Sequence, residues 1–366
     1  MWVAWLLALP FAWTFVLYPL LSLILSHRAR TRHVAVSRAA EALPAAALII
    51  AARNEASVIS ARIADARLQD YPGGLLVVVA SDGASDGTAE IAREAGADLV
   101  VECLEHVGKS RAIEAAIDAI PNEIGLLLFT DATARWSPGS AQALATALLE
   151  ADVGAVSGLV RYEYPPTVLA RGFALYQTLI VAHRSADSDW GTLTSVSGSI
   201  SGVRRELWHR APAELSSDLV VPLMAARAGL RSVMVPEAVS VEVARARATR
   251  ELKSRVRMAM SAFAFARYVF AAPRPRLRRY GFQLLSHKVL RWFAPIGLPP
   301  LFALLAWQFL VPAGIVMAIT LALLAISRRV RSAASFSIVV AAAYGLGFIR
   351  VLLGHRPVGW DPDAQR

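Results

Sequence analysis

The segment LLLFTDATARW, residues 126–136, sets the interpretation of the whole chain. Its apolar half has the length and composition of a buried β-strand, and the run ends at Asp131. A carboxylate at the end of a buried strand is costly unless it is paired or bound to a metal ion. We therefore interpret Asp131 as a functional residue. Thr133, two residues further on, offers a hydroxyl and no second charge.

Apolar runs of this kind alternate with helical patterns between residues 46 and 162. The runs predicted to form strands are AALIIAARN (46–54), LLVVVASDG (75–83), ADLVVE (97–102), IGLLLFTD (124–131) and VGAVSGLVRY (153–162). Strands that alternate with helices predict a mostly parallel sheet with helices on both faces. Ligands bind such sheets at the carboxyl ends of the strands, which singles out Asn54, Asp82 and Asp131.

Caps and breakers predict where the helices between these strands begin and end. GKSRAIEAAIDAI, residues 108–120, is predicted to be a helix that stops before Pro121. SPGSAQALATALLEA, residues 137–151, is predicted to begin with Ser137 as its N-cap and Pro138 as its first residue.

Apolar segments flank the alternating region. Hydrophobic residues make up 56% of the 366 residues, and the mean hydropathy is +0.47, both high for a soluble protein. Residues 2–25 contain no charged residue, are long enough to span a bilayer, and lack the basic start and cleavage site of a signal peptide. Three further spans are predicted at residues 292–310, 312–326 and 333–353. The second of these is short, so a re-entrant segment is its alternative.

Basic clusters follow the predicted spans at residues 27–33, 274–291 and 328–331. If the N-terminus is outside and there are four spans, all three clusters lie on the cytoplasmic side. The net charge of +10 is then explained by this topology and by attraction to anionic lipid. Nucleic-acid binding is not predicted, because the basic residues flank apolar spans and are not interleaved with exposed aromatic residues. The single cysteine, Cys103, excludes an internal disulfide and a Cys-rich zinc site.

Two polar segments lie where the predicted strands end. SDGASDGT, residues 81–88, places Asp82 where it can accept hydrogen bonds from a ribose or a base, with turn and cap roles as the alternative. HVGKSRA, residues 106–112, is not an ATP-binding phosphate loop, because Cys103 stands where that loop needs a glycine. Lys109 can still place a cation near a diphosphate at a helix N-terminus, and a solvated surface lysine is the alternative.

Two later segments bring further charged residues. LSSDLVVPLMAARAGL places Asp218 ahead of an apolar helix, where an N-cap role alone would also account for it. ELKSRVRMAM places Arg255 and Arg257 near the second membrane region, where contact with lipid headgroups is the alternative. A dinucleotide-dependent oxidoreductase fits poorly, because no Gly-x-Gly-x-x-Gly follows the first strand.

The order of these motifs resembles that of the membrane-bound family 2 glycosyltransferases, whose fold is shared by the catalytic domains of cellulose synthase and hyaluronan synthase. The matching segments, over roughly residues 45–270, are ARNE, SDGASDGT, GKSRA, FTDA, RREL with SSD, PEAVSVE and SRVRMA. The resemblance implies a GT-A fold, an α/β domain whose mostly parallel sheet binds a nucleotide diphospho-sugar, most often a UDP-sugar.

The resemblance also implies a role for each matching residue. The positions implied to contact the nucleotide-sugar donor are Arg53, Glu55, Asp82, Lys109 and Asp131. The segment that holds the acceptor in the family corresponds to SVSGSISG, residues 195–202.

The remaining implied roles concern the transfer itself. Asp218 matches the catalytic base, which takes the proton of the acceptor hydroxyl as that hydroxyl attacks the anomeric carbon in a single inverting displacement. Arg255 and Arg257 lie on the diphosphate and acceptor side, where Arg257 helps to stabilise the leaving diphosphate.

Two departures from the family pattern qualify these expectations. Asp131 matches the first aspartate of the Asp-x-Asp pair that holds a metal, but Thr133 replaces the second. A threonine hydroxyl can bind Mg²⁺ without adding charge. We therefore predict Mg²⁺ or Mn²⁺ at Asp131 and Thr133, bound more weakly than by two carboxylates. Processive synthases end the domain with Gln-x-x-Arg-Trp, whereas here Ser254 and Met258 flank the retained Arg257.

The chain is therefore predicted to transfer one sugar to a lipid-linked or otherwise membrane-associated acceptor. A processive polysaccharide synthase and a catalytically silent membrane subunit are the alternatives. The catalytic domain is predicted to be cytoplasmic and anchored in the inner cell membrane by one N-terminal and about three C-terminal helices. The predicted boundaries are 1–26 (N-terminal span), 27–45 (basic linker), 46–272 (GT-A domain), 273–291 (basic interfacial segment), 292–354 (C-terminal spans) and 355–366 (tail).

Overall fold

The computed structural model describes residues 8–30, 43–243, 248–271, 278–294 and 327–355, together with the single positions 297, 301 and 303. Most of the predicted basic linker, the C-terminal tail and most of the predicted spans at 292–310 and 312–326 lie outside the described residues. The number of C-terminal spans therefore stays a prediction.

Strands and helices alternate in the central domain as predicted. The strands are β1 (Ala46–Ala52), β2 (Leu75–Asp82), β3 (Leu99–Cys103), β4 (Leu126–Asp131), β5 (Arg135–Trp136), β6 (Val153–Glu163), β7 (Ser201–Arg204) and β8 (Arg231–Val243). The α-helices are α1 (Tyr18–Arg30), α2 (Ile59–Arg67), α3 (Thr88–Glu94), α4 (Lys109–Ala119), α5 (Ser140–Leu148), α6 (Val168–Trp190), α7 (Ser217–Arg227), α8 (Ala248–Phe270), α9 (Arg278–Gln283) and α10 (Arg328–Leu352). Two π-helical segments adjoin them, Trp13–Leu17 before α1 and Leu284–Val289 after α9.

The eight strands form one sheet in the order β3-β2-β1-β4-β7-β6-β8-β5. The half made by β1 to β4 is parallel, as predicted. The other half is mixed, because β7 runs antiparallel to β4 and β6 and β5 runs antiparallel to β8. In the parallel half, Ala51 pairs with Asp131 and Ala52 with Ser81. This register brings the ends of β1, β2 and β4 to one edge of the sheet.

The strands β1, β2 and β4 are buried on both faces, which is why they appear in the sequence as continuous apolar runs. Every residue of β1 is buried. On one face Leu48 packs in a core with Ile63 of α2 and Leu144 of α5. On the other, Ile49 packs in a core with Ile113 of α4. The sheet therefore supplies a rigid base for the residues at its carboxyl edge.

The predicted start of the helix after β4 is wrong. The helix α5 begins at Ser140 and not at Pro138, and its N-cap is Gly139, with φ +76°. The cause is the short strand β5, which pairs with β8 and keeps the chain extended. The backbone N–H of Ser137 continues this contact by donating to the carbonyl of Val239 at 2.8 Å. Pro138 and Gly139 then form the turn into the helix.

Two of the described helices are long and apolar enough to cross a membrane, Ala8–Ala29 and Arg328–Leu352. They coincide with two of the predicted spans. Both leave most of their surface uncovered by protein, as shown by Leu20, which is 53% exposed, and Ile338, which is 68% exposed. Exposed apolar surface of this extent indicates contact with lipid or with another protein.

A buried polar cluster around Asp187 of α6 attaches α1 to the domain. Tyr18 and Ser22 donate hydrogen bonds to Asp187 Oδ1 at 2.8 and 2.7 Å, and Nδ1 of His287 lies 2.6 Å from Oδ2. The composition of Asp187, His287 and His183 resembles a metal site. However, the two imidazole rings stack at 4.0 Å and 18°. Their nitrogen lone pairs lie in nearly parallel planes and do not converge on one ion. The cluster is therefore a structural joint.

Helix α10 packs closely on α6 through a glycine. A Cβ added to Gly172 of α6 would overlap the carbonyl oxygen of Ser332 and lie 2.8 Å from Cβ of Phe336, both on α10. Such a contact cannot be relieved by a side-chain rotation, because one partner is backbone. The absence of a side-chain carbon at this position therefore allows the two helices to approach this closely.

We predict that Gly172→Ala destabilises the protein by about 1–3 kcal/mol, the usual cost of overpacking a tight contact. The measurement is the thermal unfolding midpoint of the detergent-purified protein. Gly345→Ala on α10 is the matched control, since a Cβ there meets no described atom within 4 Å. The control should leave the midpoint unchanged or raise it slightly through better helix propensity. Equal midpoints for the two variants would contradict the close contact.

Candidate active site

An ion pair between Lys109 and Asp131 lies at the carboxyl edge of the sheet. Lys109 is the first residue of α4 and Asp131 the last of β4, and Nζ of Lys109 donates to Oδ1 of Asp131. Burial acts to lower the pKa of Lys109, but the carboxylates of Asp131 and, to a smaller extent, Asp218 outweigh it and raise that pKa. The pair therefore presents a fixed ammonium group beside a carboxylate that keeps one free oxygen.

The loop that precedes β7 closes over this ion pair. A Cβ added to Gly198 would lie 3.4 Å from Nζ of Lys109 and 3.8 Å from Oδ2 of Asp131. Thr133 lines the same cavity and its side chain is exposed. The predicted metal pair thus consists of one carboxylate already shared with an ammonium and one free hydroxyl.

Asp82 holds the loop that leads into α4. Its Oδ1 accepts the backbone N–H groups of Val107 and Gly108 at 2.8 and 3.1 Å, and its Oδ2 lies 2.9 Å from Nδ1 of His106. The side chain is almost fully buried. This arrangement fixes the start of α4 and hence the position of Lys109. The predicted contact between Asp82 and a nucleoside stays a prediction.

The motifs ARNE and SDGASDGT form hydrogen bonds with each other at the ends of β1 and β2. Asn54 takes a left-handed conformation with φ +52°, and its side-chain oxygen accepts the N–H of Ser85 at 2.9 Å. The N–H of Glu55 donates to Oγ1 of Thr88 at 2.9 Å. Glu55 lines the cavity, whereas Arg53 does not. Of this motif, Glu55 is thus the residue that lines the cavity, and its predicted contact with the donor stays a prediction.

Asp218 lies in the first turn of α7, whose N-cap position is taken by Ser216. The Ser216 hydroxyl donates to Oδ1 of Asp218, and the N–H of Val196 donates to the Asp218 carbonyl at 2.9 Å. The N-terminal end of a helix stabilises a carboxylate. Asp218 lines the cavity and is close enough to raise the pKa of Lys109. Asp218 is therefore held at the start of α7 in the same cavity as the ion pair.

The two predicted arginines of α8 have different surroundings. Arg255 is 8% exposed, donates to Glu251 at 2.6 Å, and its guanidinium lies 4.6 Å from the ring of Phe336 on α10. It therefore joins α8 to α10. Arg257 lines the cavity and is near enough to Lys109 for its charge to oppose the rise in the pKa of Lys109. Arg257 is thus the arginine that faces the ion pair.

One open cavity of about 730 Å³ collects most of the predicted site residues. Those that line it are Glu55, Lys109, Asp131, Thr133, Asp218, Arg255 and Arg257. Of the described residues predicted for the site, Arg53 and Asp82 lie outside the lining. From the ion pair the cavity continues to Trp292 and to Tyr344 of α10, one of the helices of membrane-spanning length.

Three cationic residues of the lining were not predicted from the sequence. They are Arg184 of α6, Lys288 of the π-helical segment after α9, and Arg291. Arg184 lies in no motif. Lys288 and Arg291 belong to the basic cluster that the sequence analysis attributed to membrane topology. The sequence did offer one signal for a ligand-binding role of Lys288 and Arg291. Both cations lie within LLSHKVLRW, a segment in which most of the other residues are apolar or aromatic.

The chain matches known proteins over the whole of this domain. The model of "Glycosyltransferase like family 2" matches residues 44–269. An N-acetylglucosaminyltransferase from Rhizobium meliloti (strain 1021) is 28% identical over 222 residues, 55% of this chain and 51% of that protein. The chain therefore spans about half the length of this curated relative.

The fold also matches a solved structure. The mannosyltransferase PcManGT from Pyrobaculum calidifontis, solved in complex with GDP-Man and Mn²⁺, has a TM-score of 0.74 and 23% identity, over 96% of this chain and 98% of that one. At this identity the likeness concerns the fold, which is GT-A. Because the family match covers well over half of the 366 residues, the chain belongs to glycosyltransferase family 2.

Proposed function

We propose that this protein is a membrane-anchored, inverting glycosyltransferase that moves one sugar from a nucleotide diphospho-sugar to a membrane-associated acceptor at the cytoplasmic face. One observation carries the proposal. The Lys109–Asp131 pair and Asp218 line a single cavity that continues to Trp292 and Tyr344 beside the apolar helix α10. A donor bound at the sheet edge and an acceptor that enters from the membrane would meet at Asp218.

The donor end has the charge needed to stabilise the leaving group. As the bond between the anomeric carbon and the diphosphate oxygen breaks, negative charge develops on the diphosphate. Lys109 and Arg257 both line the cavity and would lie close to that charge. Fixed cations in a partly water-excluded site stabilise such a transition state because they need no reorganisation.

Asp131 and Thr133 can hold a divalent metal. Their carboxylate and hydroxyl oxygens are the ligands that Mg²⁺ and Mn²⁺ prefer. When bound, the metal would neutralise charge on the donor diphosphate. The affinity should be modest, since Asp131 also pairs with Lys109 and Thr133 adds no charge. The Mn²⁺ in the related mannosyltransferase structure supports a metal here as well.

Asp218 would act as the general base. Its carboxylate takes the proton of the acceptor hydroxyl while the hydroxyl oxygen bonds to the anomeric carbon and the carbon–diphosphate bond breaks on the opposite face. This single displacement inverts the configuration. The Ser216 hydrogen bond and the position at the N-terminal end of α7 orient the carboxylate for this step.

The acceptor side favours single transfer over polymerisation. Met258 lines the cavity and is 52% exposed, at the position where processive synthases carry a tryptophan that stacks on sugar. A thioether offers a sugar ring a smaller apolar face than an indole does. This supports release after one sugar.

We predict that Asp218→Asn lowers the transfer rate about 10²–10⁴-fold, as expected for loss of a general base, while donor affinity stays unchanged. UDP-N-acetylglucosamine and GDP-mannose are the first donors to test, because related proteins carry these activities or ligands in their names. Transfer to membrane lipid extract is followed by mass spectrometry. Asp118→Asn is the control, since Asp118 is an exposed carboxylate outside the cavity, paired with Arg210.

The products separate the alternatives. A mass increase of one sugar supports the proposed function, and a ladder of lengths would identify a polymerase instead. Absence of both donor binding and transfer in the unmodified protein would favour a silent subunit. Full activity in Asp218→Asn would remove Asp218 from the mechanism.

We predict that UDP binds more tightly with Mn²⁺ than with excess chelator, and that Thr133→Asp increases this difference about tenfold by adding a second carboxylate. The measurement is calorimetric titration of UDP, with GDP in parallel. Thr133→Asn is the control, since it matches the size of aspartate without its charge. Equal UDP affinity with Mn²⁺ and with chelator in the unmodified protein would show that Asp131 and Thr133 do not hold a metal for the donor.

A further inference from the structure

The membrane side of the cavity contains three cations that belong to different parts of the chain. Arg184 lies on α6, whereas Lys288 and Arg291 lie just ahead of Trp292 in the segment after α9. All three are half-buried and line the same cavity as Asp218. None of them belongs to the donor end described above.

These cations have no anionic partner within the described part of the chain. Arg184 donates only to neutral oxygens, the Ser157 hydroxyl at 2.8 Å and the Ser195 carbonyl at 3.2 Å. Neither Lys288 nor Arg291 forms a salt bridge with a described carboxylate. Nε of Arg184 and of Arg291 is buried without a described hydrogen-bond partner.

Arg255 lines the same cavity but, unlike these three cations, has an anionic partner. Arg255 is neutralised by Glu251 at 2.6 Å and covered by aromatic rings. Half-buried cations that lack such a partner are costly, because each loses hydration and repels the others. The group of Arg184, Lys288 and Arg291, which we name the cation triad, is therefore built to receive an anion.

The pKa of Lys288 shows that the three cations repel one another. Burial, together with the charges of Arg184 and Arg291, lowers the pKa of Lys288 to about 7. An anion bound among the three would offset this repulsion. The carboxylates of Asp218 and Asp187 act in that direction only in part.

The surroundings of the triad indicate what carries the anion. The lining beside it is apolar and aromatic, with Phe173, Ile180 and Val181 of α6, Trp292, and Tyr344 of α10. Arg291 also lies over the ring of Phe15, in the N-terminal helix of membrane-spanning length, at 5.9 Å. A small water-soluble anion would gain nothing from these apolar contacts. An amphiphile, with its anionic head at the triad and its chain along the aromatic side, would use both.

We propose that the cation triad binds a phosphate group on the acceptor, so that the acceptor is a phosphate-bearing lipid whose head-group hydroxyl is directed toward Asp218. This rests on the proposed function for the transfer step, whereas the phosphate site itself does not depend on catalysis. Arginine and lysine form charge-assisted hydrogen bonds with phosphate oxygens, and such bonds are among the strongest available to a protein.

The test is calorimetric titration of the full-length protein in an uncharged detergent. The probes are dihexanoyl phosphatidic acid, inorganic phosphate and phosphate-free dihexanoylglycerol, each added with and without UDP. Phosphatidic acid should bind more tightly than either of the other two. Lys288→Gln should weaken its binding about tenfold, as expected for one lost charge-assisted hydrogen bond. Lys288→Arg should retain it.

Arg279→Gln is the matched control, since Arg279 is an exposed cation of the adjoining helix α9 that does not line the cavity. It removes the same charge from the same region and should change the affinity by less than about twofold. Equal weakening in both variants would mean general attraction to anionic surfaces, and equal binding of dihexanoylglycerol would mean that phosphate is not recognised. Either result would overturn the proposal. Inorganic phosphate binding as tightly as the lipid would reject the lipid source.

Failure of the phosphate site and failure of the proposed function can be told apart by measuring UDP affinity alongside phosphatidic acid binding. UDP affinity in Lys288→Gln should equal that of the unmodified protein, which shows that the donor end is intact. Should Lys288→Gln fail to fold, Arg291→Gln carries the same expectation. Phosphatidic acid binding in a protein that binds no nucleotide would leave the phosphate site standing and reject the proposed transfer.

Discussion

The buried carboxylate of Asp187 is the constraint on which the packing of the N-terminal apolar helix and of the segment after α9 depends. It accepts hydrogen bonds from Tyr18 and Ser22 in the N-terminal helix and contacts His287 in the π-helical segment. A carboxylate in this position must be satisfied by several partners, and removing one leaves an unpaired buried group at a cost of about 1–3 kcal/mol. Segments more than 160 residues apart in sequence are thereby held against the same turn of α6. Because Lys288 follows His287 directly, the joint also fixes where the cation triad meets the cavity.

The cations at the two ends of the cavity differ in whether a carboxylate of the protein pairs with them. At the sheet edge, Lys109 is compensated within the protein by Asp131. At the membrane side, the cations of the triad have no described carboxylate partner. A donor can enter the first end by replacing part of an existing ion pair, whereas the second end favours a ligand that brings its own negative charge. The carboxylate of Asp218 acts to raise the pKa of both Lys109 and Lys288, so it lies within electrostatic reach of both ends of the cavity.

The sequence was sufficient to predict the parallel half of the sheet because that half is governed by burial alone. Strands covered on both faces must be apolar almost throughout, and their carboxyl ends must meet at one edge, which is where Asp82 and Asp131 were predicted to lie. The errors have equally physical causes. The pairing of Arg135 and Trp136 with β8 is a contact between distant segments, and it displaced the start of α5 from Pro138 to Ser140. No local preference encodes such a contact.

The cation triad escaped prediction for a related reason. Lys288 and Arg291 lie in a basic segment next to an apolar one, a pattern for which membrane topology is a sufficient explanation. They come together with Arg184 only in the folded cavity, where the π-helical segment that carries Lys288 contacts Asp187 of α6 through His287. Family motifs could not reveal it either, because such motifs describe the donor chemistry that members share. The acceptor end has to be inferred from unpaired charge and from the surface around it, and these appear only when the chain is folded.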